Sequence, residues 1–387
     1  MSGLTILGIS LDRTLLARGP AIGDAAWRHR QYAQVLDHLW YVVYAQRRLG
    51  LEQAQLANNL IAIPTRSRTR LSFPMDAYRL AAGIIRRQPV DLVTAQDPFV
   101  TGLVGYWLKR RFGVPLNVTL FSSFFDNPQW LASSLEARAL HRLGKFIVRR
   151  ADTVRVESPI ERERLLGMGI PPERVWTIPL LVDLARFQHG DGSPVRALFP
   201  GRRLVLYAGR LAAEKNLSVI IRAAPIVART HPAALFLIAG DGPERPGLEA
   251  LARSLGTDAV RFVGVLTPAD VPRYFAACEV FVLPSLYEGI PTVLIEAAAA
   301  GRPIVTTPTR NVEDVVIAGE SGFVVDATPE AFAERIGFLL AHPEDGRAMG
   351  TRGQQRILRK YAPAGVLSDL VRMWGETVSR GVALPSS

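Results

Sequence analysis

"VFVLPSLYEGIPTVLIEAAAAGRPIVTT", residues 280–307, holds a complete supersecondary unit. The apolar run "VFVLPS" reads as a buried strand that ends at Ser285. A short loop follows with Glu288 and Gly289, and Pro291 suits the first position of a helix. That helix is expected to run "PTVLIEAAAA" and stop at Gly301, before a second strand, "PIVTT". Strand, helix and strand in so short a span require parallel pairing, so the stretch predicts an α/β fold. Two carboxylates interrupt it. Glu296 shares a helix face with Thr292 and Val293, starting at the helix N-terminus. Free amides around Ile290 to Thr292 can donate to hydroxyls or phosphate oxygens. A carboxylate inside this alanine-rich helix is costly to bury unless hydrogen-bonded. A ribose diol would satisfy it; so would a loop of the same chain.

The same rhythm extends both ways. Strand candidates in the first half are "LTILGIS", "LWYVVYA", "NLIAIP", "DLVTA", "PLNVTLF", "DTVRVES" and "RVWTIP". Amphipathic stretches such as "FPMDAYRLAAGIIRRQ" and "VTGLVGYWLKRRFG" lie between them. Residues 184–203 break the pattern with Gly, Pro and no clear period, which marks a linker. The rhythm restarts with "LVLYAGR", "ALFLIAG", "VRFVG", "VFVLPS", "PIVTT" and "GFVVD". The expectation is two doubly wound, Rossmann-like domains, residues 1–192 and 193–363, facing a central cleft. A final helix, about 364–378, lies after the second sheet is complete and can pack back on the first domain.

The 387 residues suit two domains, and 48% apolar content suits a buried core. No apolar run reaches the ~18–20 residues of a membrane span. The N-terminus "MSGLTILGISLDR" lacks a basic region and cleavage site, so it reads as a first strand. The single cysteine, Cys278, excludes an intrachain disulfide, fits a reducing, cytoplasmic setting and reads as a small buried hydrophobe. Residues 1–192 carry 25 Lys and Arg against 16 Asp and Glu; the remainder carries 21 against 19. The excess clusters in "RSRTR", "KRR" and "HRLGKFIVRR". It fits a solvated surface, or contact with an anionic partner such as the inner face of a plasma membrane. No helix-turn-helix or aromatic-basic motif supports nucleic acid as that partner.

Several chemistries lack their motifs. There is no G-x-G-x-x-G after the first strand, no P-loop and no G-x-S-x-G. The six histidines are dispersed without metal spacing. "YAGRLAAEKNL" is more informative. Gly209 permits close backbone approach, and Arg210 and Lys215 stand just before a helix start. Two cations beside helix donors suit a diphosphate, although a surface Glu–Lys pair fits the same residues. "IAGDGPER" reads as an ordinary turn.

"GRLAAEKN", "LFLIAGDGPER" and "VFVLPSLYEGIPTVLIEAAAAGRPIV" together resemble the family 4 retaining glycosyltransferases of GT-B fold, marked by an E-x7-E motif, here Glu288 and Glu296. Residues 90–360 carry the resemblance, and the first half looks like bacterial members that build exopolysaccharide, capsule or lipid-linked glycans. The resemblance implies transfer of a hexose from a nucleotide-diphosphate sugar, UDP- or GDP-linked, to a hydroxyl of a glycan or lipid-linked acceptor. It implies no metal ion, because Arg210 and Lys215 would hold the diphosphate and stabilise the leaving group. Glu288 would contact the sugar and Glu296 the ribose, with Gly209, Gly289, Ile290, Pro291 and Thr292 lining the donor. On the acceptor side, "GPAIGDAAWRHRQYA" offers Gly23, Asp24 and Arg28, with Asp97 and Asp126 beyond it. Asp24 fits a helix N-cap equally well.

The sequence departs from the family pattern in two places. Phe121 takes the position of a histidine that contacts the donor sugar, and Ser123 that of an aspartate two residues on. "TRNVEDVV" has Arg310, Asn311 and Val312 in place of a glycine pair. The first departure supports a second reading: a catalytically weakened homologue that binds nucleotide-sugar or serves as a partner subunit.

Overall fold

The computed structural model describes residues 3–16, 25–121, 125, 131, 134–288 and 291–382. The chain forms two compact units, Met1–Val182 with Pro363–Ser387, and Asp183–Ala362. The division falls between Val182 and Asp183, upstream of the expected 192/193 boundary. The stretch read as a linker folds as two short helices, Leu184–Gln188 and Ser193–Leu198. They bury Leu184, Phe187 and Val195, and Phe187 meets Phe275 edge-on at 5.5 Å. Helices this short leave no period for a sequence to show.

The first unit contains β1 (Thr5–Ser10), β2 (His38–Val43), β3 (Ala54–Ala57), β4 (Leu60–Pro64), β5 (Leu92–Ala95), β6 (Leu116–Leu120), β7 (Thr153–Val156) and β8 (Val175–Thr177). They form one sheet in the order β3-β4-β2-β1-β5-β6-β7-β8. All pair in parallel except β3, which runs antiparallel to β4 at the edge. Sequence reading passed over β3, because "AQLA" is mostly half-exposed and has no apolar run. Strands β5, β6 and β7 are buried at every position, as expected for a sheet covered on both faces. The pleat sends alternate residues to opposite cores. Leu7 and Ile9 join helices Phe73–Arg87, Val100–Phe112 and Leu135–Arg150 on one face. Ile6 and Leu39 face the other way, toward Leu370, Met373 and Trp374 of the terminal helix Pro363–Val382. That helix therefore completes the first core. Its Thr377 hydroxyl meets the Thr153 hydroxyl at 2.6 Å.

The second unit contains β9 (Arg203–Ala208), β10 (Ala234–Ala239), β11 (Val260–Gly264), β12 (Val280–Leu283), β13 (Ile304–Thr306) and β14 (Gly322–Val324). Their order is β11-β10-β9-β12-β13-β14, with every pair parallel. Numbered within the unit, that is 3-2-1-4-5-6, the doubly wound order. Chain direction across the sheet reverses between β9 and β12, and folds of this order bind ligands beyond the carboxyl ends of such strands. Leaving aside β3, the first sheet reverses in the same way between β1 and β5. Among the described residues, no helix is long and apolar enough to cross a membrane.

Candidate functional site

The residues singled out in the second unit gather at its switch point. The loop after β9 carries Gly209, Arg210 and Lys215; the loop after β12 carries Ser285 and Glu288. They are stitched together by the Leu286 amide, which donates to the Glu214 carbonyl at 2.8 Å. The Lys215 ammonium donates to Glu288 Oε1 at 2.6 Å, and the Ser285 hydroxyl donates to the same oxygen at 2.6 Å. The Lys215 and Glu288 side chains are only 19% and 11% exposed. Ion pairing in such a setting is strong only when geometry and extra hydrogen bonds support it, as Ser285 does here. Lys215 closes a 3₁₀ turn, Ala213–Lys215, that ends on Asn216 at φ 50°. Asparagine tolerates that left-handed conformation, which lets the helix Ser218–Thr230 follow at once.

Arg210 sits differently. Its side chain is 66% exposed and donates to Glu214 Oε1 at 2.5 Å. Its carbonyl accepts from the Tyr207 hydroxyl at 2.9 Å, which fixes the backbone while the guanidinium stays in solvent. Partial burial raises the proton affinity of Glu214, but its own backbone amide and Arg210 outweigh this and hold the carboxyl below its ordinary range. The two cations expected at a diphosphate are thus each matched by a carboxylate. A diphosphate arriving here would exchange partners with Glu214 and Glu288 rather than meet bare charges.

The turn "IAGDGPER", read from sequence as ordinary, braces this loop. Gly209 donates to the Ala239 carbonyl at 3.0 Å, and Leu211 donates to that of Asp241 at 2.9 Å. Gly240 has φ 131°, and a Cβ there would collide with the Gly209 carbonyl oxygen. Only glycine lets the two strand-end loops approach so closely.

The helix after β12 spans Thr292–Ala299, with Pro291 as its N-cap residue rather than its first helical residue. Leu294, Ile295 and Ala297 to Ala299 are buried, while Thr292, Val293 and Glu296 are half-buried. Glu296 therefore lies on the one polar face of an apolar helix, as its spacing predicted. Gly289 and Ile290 lie outside the described residues. In "TRNVEDVV", Asn311 adopts φ 63° and so takes the conformation a glycine would supply.

In the first unit, polar side chains gather at the ends of β1, β5 and β7. The Ser10 hydroxyl donates to Gln96 Oε1, and the Gln96 amide lies 3.0 Å from His29 Nε2. His29 Nδ1 donates to the Ala25 carbonyl at 2.6 Å. Burial pushes the imidazole down to about 4, so it stays neutral. Arg28 donates to the Leu181 carbonyl at 2.9 Å. Arg155, 3% exposed, donates to the carbonyls of Ile178 (3.1 Å) and Pro179 (2.6 Å). Its guanidinium lies 5.9 Å from the ring centroid of Phe121, the residue at the histidine position. Burial raises the Glu157 carboxyl to about 7, against the opposing pull of Arg155 and Arg28.

Sequence reading missed Gln96, Arg155 and Glu157. The available signal was charge inside the otherwise apolar strand "DTVRVES". Asp97 has a structural task. Its carboxylate accepts from the Phe99 amide (2.7 Å) and the Thr101 hydroxyl (2.8 Å), at the start of helix Val100–Phe112. Gly23, Asp24, Ser123 and Asp126 lie outside the described residues. Among the described residues, no three His, Cys, Asp or Glu side chains cluster where they could hold a metal ion.

Comparison with known proteins identifies the family and the fold. Residues 193–356 match the family described as glycosyl transferases group 1, and residues 24–180 match the glycosyl transferase 4-like domain. A D-inositol 3-phosphate glycosyltransferase of Salinispora tropica is 30% identical over 83% of this chain and 72% of its own length. An alpha-D-kanosaminyltransferase of Streptomyces kanamyceticus is 30% identical over 70% of this chain and 73% of its own. Among solved structures, sucrose-phosphate synthase from Thermosynechococcus elongatus has a TM-score of 0.81 at 21% identity, covering 97% of this chain and 99% of that one. The Anabaena protein HepE in complex with UDP has a TM-score of 0.77 at 18% identity, covering 95% and 99%. The chain is therefore a glycosyltransferase and belongs to the family 4-type enzymes of GT-B fold.

Proposed function

We propose that this enzyme is a retaining hexosyltransferase that takes its sugar from a nucleotide diphosphate bound in the second unit. The observation that carries the proposal is the Lys215–Glu288 pair at the β9/β12 switch point, 2.6 Å across and mostly buried. On this reading Arg210 and Lys215 receive the diphosphate and offset charge on the leaving group as the glycosidic bond breaks. Glu288, once released, accepts from sugar hydroxyls, and Glu296 accepts from the ribose. Gly209, Pro291 and Thr292, with Gly289 and Ile290, line the donor. The leaving phosphate takes the proton of the acceptor hydroxyl, and the new C–O bond forms on the same face. No protein base is needed for that step, and the cations make a metal ion unnecessary. The HepE structure with UDP-glucose supports the donor class by likeness of fold.

The acceptor, a glycan or lipid-linked hydroxyl compound, is assigned to the first unit, near Arg28 and the strand ends. Asp97 is less suited to it, since its carboxylate already holds a helix start. Gly23, Asp24 and Asp126 complete the proposed acceptor side. Cytoplasmic placement, with contact between the basic first half and an anionic membrane, belongs to the same proposal.

A thermal-shift screen of UDP-, GDP- and ADP-sugars tests it. A donor at a hundred times its Kd should raise the melting temperature by roughly 5–10 °C. No shift with any of them would count against the proposal. Phe121 at the end of β6 favours the second reading, a binding homologue of weakened activity. A clear shift without transfer to any acceptor would select it.

A further inference from the structure

A cavity of about 440 Å³ opens in the first unit, lined by Lys109, Arg149, Arg150, Asp152, Arg174 and Arg380. It lies at the start of β7, since Asp152 directly precedes Thr153. That is the sheet edge opposite the strand ends that carry Ser10, Gln96 and Glu157. The fold builds it from distant parts of the chain. Lys109 comes from the "KRR" cluster, Arg149 and Arg150 from "HRLGKFIVRR", Arg174 from the turn before β8, and Arg380 from the terminal helix.

Part of this charge has a structural task. Lys109 donates to the Asp152 carboxylate at 2.7 Å and to the Arg150 carbonyl at 3.0 Å. The other Asp152 oxygen accepts from the Leu116 amide at 2.8 Å. Arg174 caps the end of helix Leu135–Arg150 through the carbonyls of Arg149 and Ala151. The acid and two of the cations are therefore committed, and the two cations answer the negative helix end.

Arg149, Arg150 and Arg380 remain. Among the described residues, no carboxylate reaches hydrogen-bond distance of any of them. Glu376 stands 3.9 Å from Arg380, Arg150 lies 3.8 Å over the Phe146 ring, and Arg149 reaches only the Met168 carbonyl at 3.4 Å. Burial, and the nearby charge of Arg380, hold Arg174 below its ordinary proton affinity, although Asp152 opposes this. Like charges gathered in one concavity repel, and an anion relieves that repulsion.

The geometry points to a second anion site in the first unit, one that takes a phosphoryl group through Arg149, Arg150 and Arg380. A tetrahedral phosphoryl group can be shared among three guanidinium forks, whereas a planar carboxylate serves one or two. The volume suits a small phosphate ester. A soluble phosphate ester and a phospholipid headgroup offer the same chemistry.

Inorganic pyrophosphate, titrated calorimetrically at constant ionic strength, is the probe. It is added to the full chain, to Lys215→Gln, which weakens the donor site, and to the combined Arg150→Gln and Arg380→Gln variant. The expected result is binding retained in Lys215→Gln and weakened at least tenfold in the double variant. A melting curve matching the parent's shows that the double variant is folded. Binding unchanged in that variant, or lost in Lys215→Gln alone, overturns the proposal. Sedimentation with phosphatidylcholine vesicles, with and without phosphatidylglycerol, separates the sources. Pyrophosphate-sensitive binding to the anionic vesicles assigns the site to a headgroup; pyrophosphate binding without vesicle binding assigns it to a soluble ester.

Discussion

If Lys215 and Glu288 hold the donor loops as one prearranged unit, their removal must be non-additive. Among the described residues, Lys215→Met leaves Glu288 with the Ser285 hydroxyl alone, in a site where its side chain is 11% exposed. Glu288→Gln leaves the Lys215 ammonium, 19% exposed, without its carboxylate. Breaking a fully buried pair costs about 3–5 kcal/mol; with this residual exposure we expect about 2–3 kcal/mol for either change. The double variant leaves neither charge stranded and should cost about 1–2 kcal/mol. The coupling, the two single effects less the double, is then about 3–4 kcal/mol, at the upper end for residues in contact. In a domain of this size each single change lowers the melting temperature by roughly 5–10 °C. Calorimetry of the four proteins reads this directly. Binding then separates the two roles. Lys215→Met should weaken a nucleoside diphosphate roughly ten- to a hundredfold, the worth of one charge-assisted hydrogen bond. Glu288→Gln should bind the nucleoside diphosphate as well as the parent yet lose transfer, because it acts on the sugar. Additive stability effects, or a Glu288→Gln enzyme with undiminished transfer, would refute the assignment.

Further tests concern the frame around the site. Gly240→Ala places a methyl group on the Gly209 carbonyl and should destabilise the second unit by about 1–3 kcal/mol, weakening donor binding with no charge altered. Asp97→Ala removes an acceptor for the Phe99 amide and should cost about 1–2 kcal/mol in a chemical denaturation curve. Two buried groups in the first unit give opposite pH slopes. Glu157 is raised to about 7, so its folded state keeps a proton longer and stability falls as pH rises through 4.5–7. His29 is lowered to about 4, so its unfolded state takes the proton first and stability falls as pH drops from 6.5 toward 4. Melting from pH 4.5 to 6.5 should therefore rise more steeply with pH in Glu157→Gln and less steeply in His29→Asn. Parallel curves for the two variants would sink this account.

The parallel strands and most helices were legible because a sheet buried on both faces writes continuous apolar runs, as in "ALFLIAG" and "VFVLPS". The candidate donor loops drew notice because unusual residues fall at strand ends: Arg210 and Lys215 after β9, Glu288 after β12. Glu296 could be placed on its face because a helix has a fixed period. The edge strand β3 and the helices after Val182 escaped, being too short or too exposed to leave a pattern. Local pattern also could not show which loops touch. The order β10-β9-β12 brings Lys215 to Glu288, and makes a brace of the glycines in "AGDG". Neither follows from spacing, since strand order is set by which faces the helices can cover. The same holds for Arg380, which the sequence keeps far from Arg149 and Arg150 and one cavity joins to them. Sequence by itself determined most of the elements, the family and the candidate donor residues. The tertiary structure decided which charges pair, which are left in excess and which side chains lose water, because those depend on contacts between segments far apart in the chain.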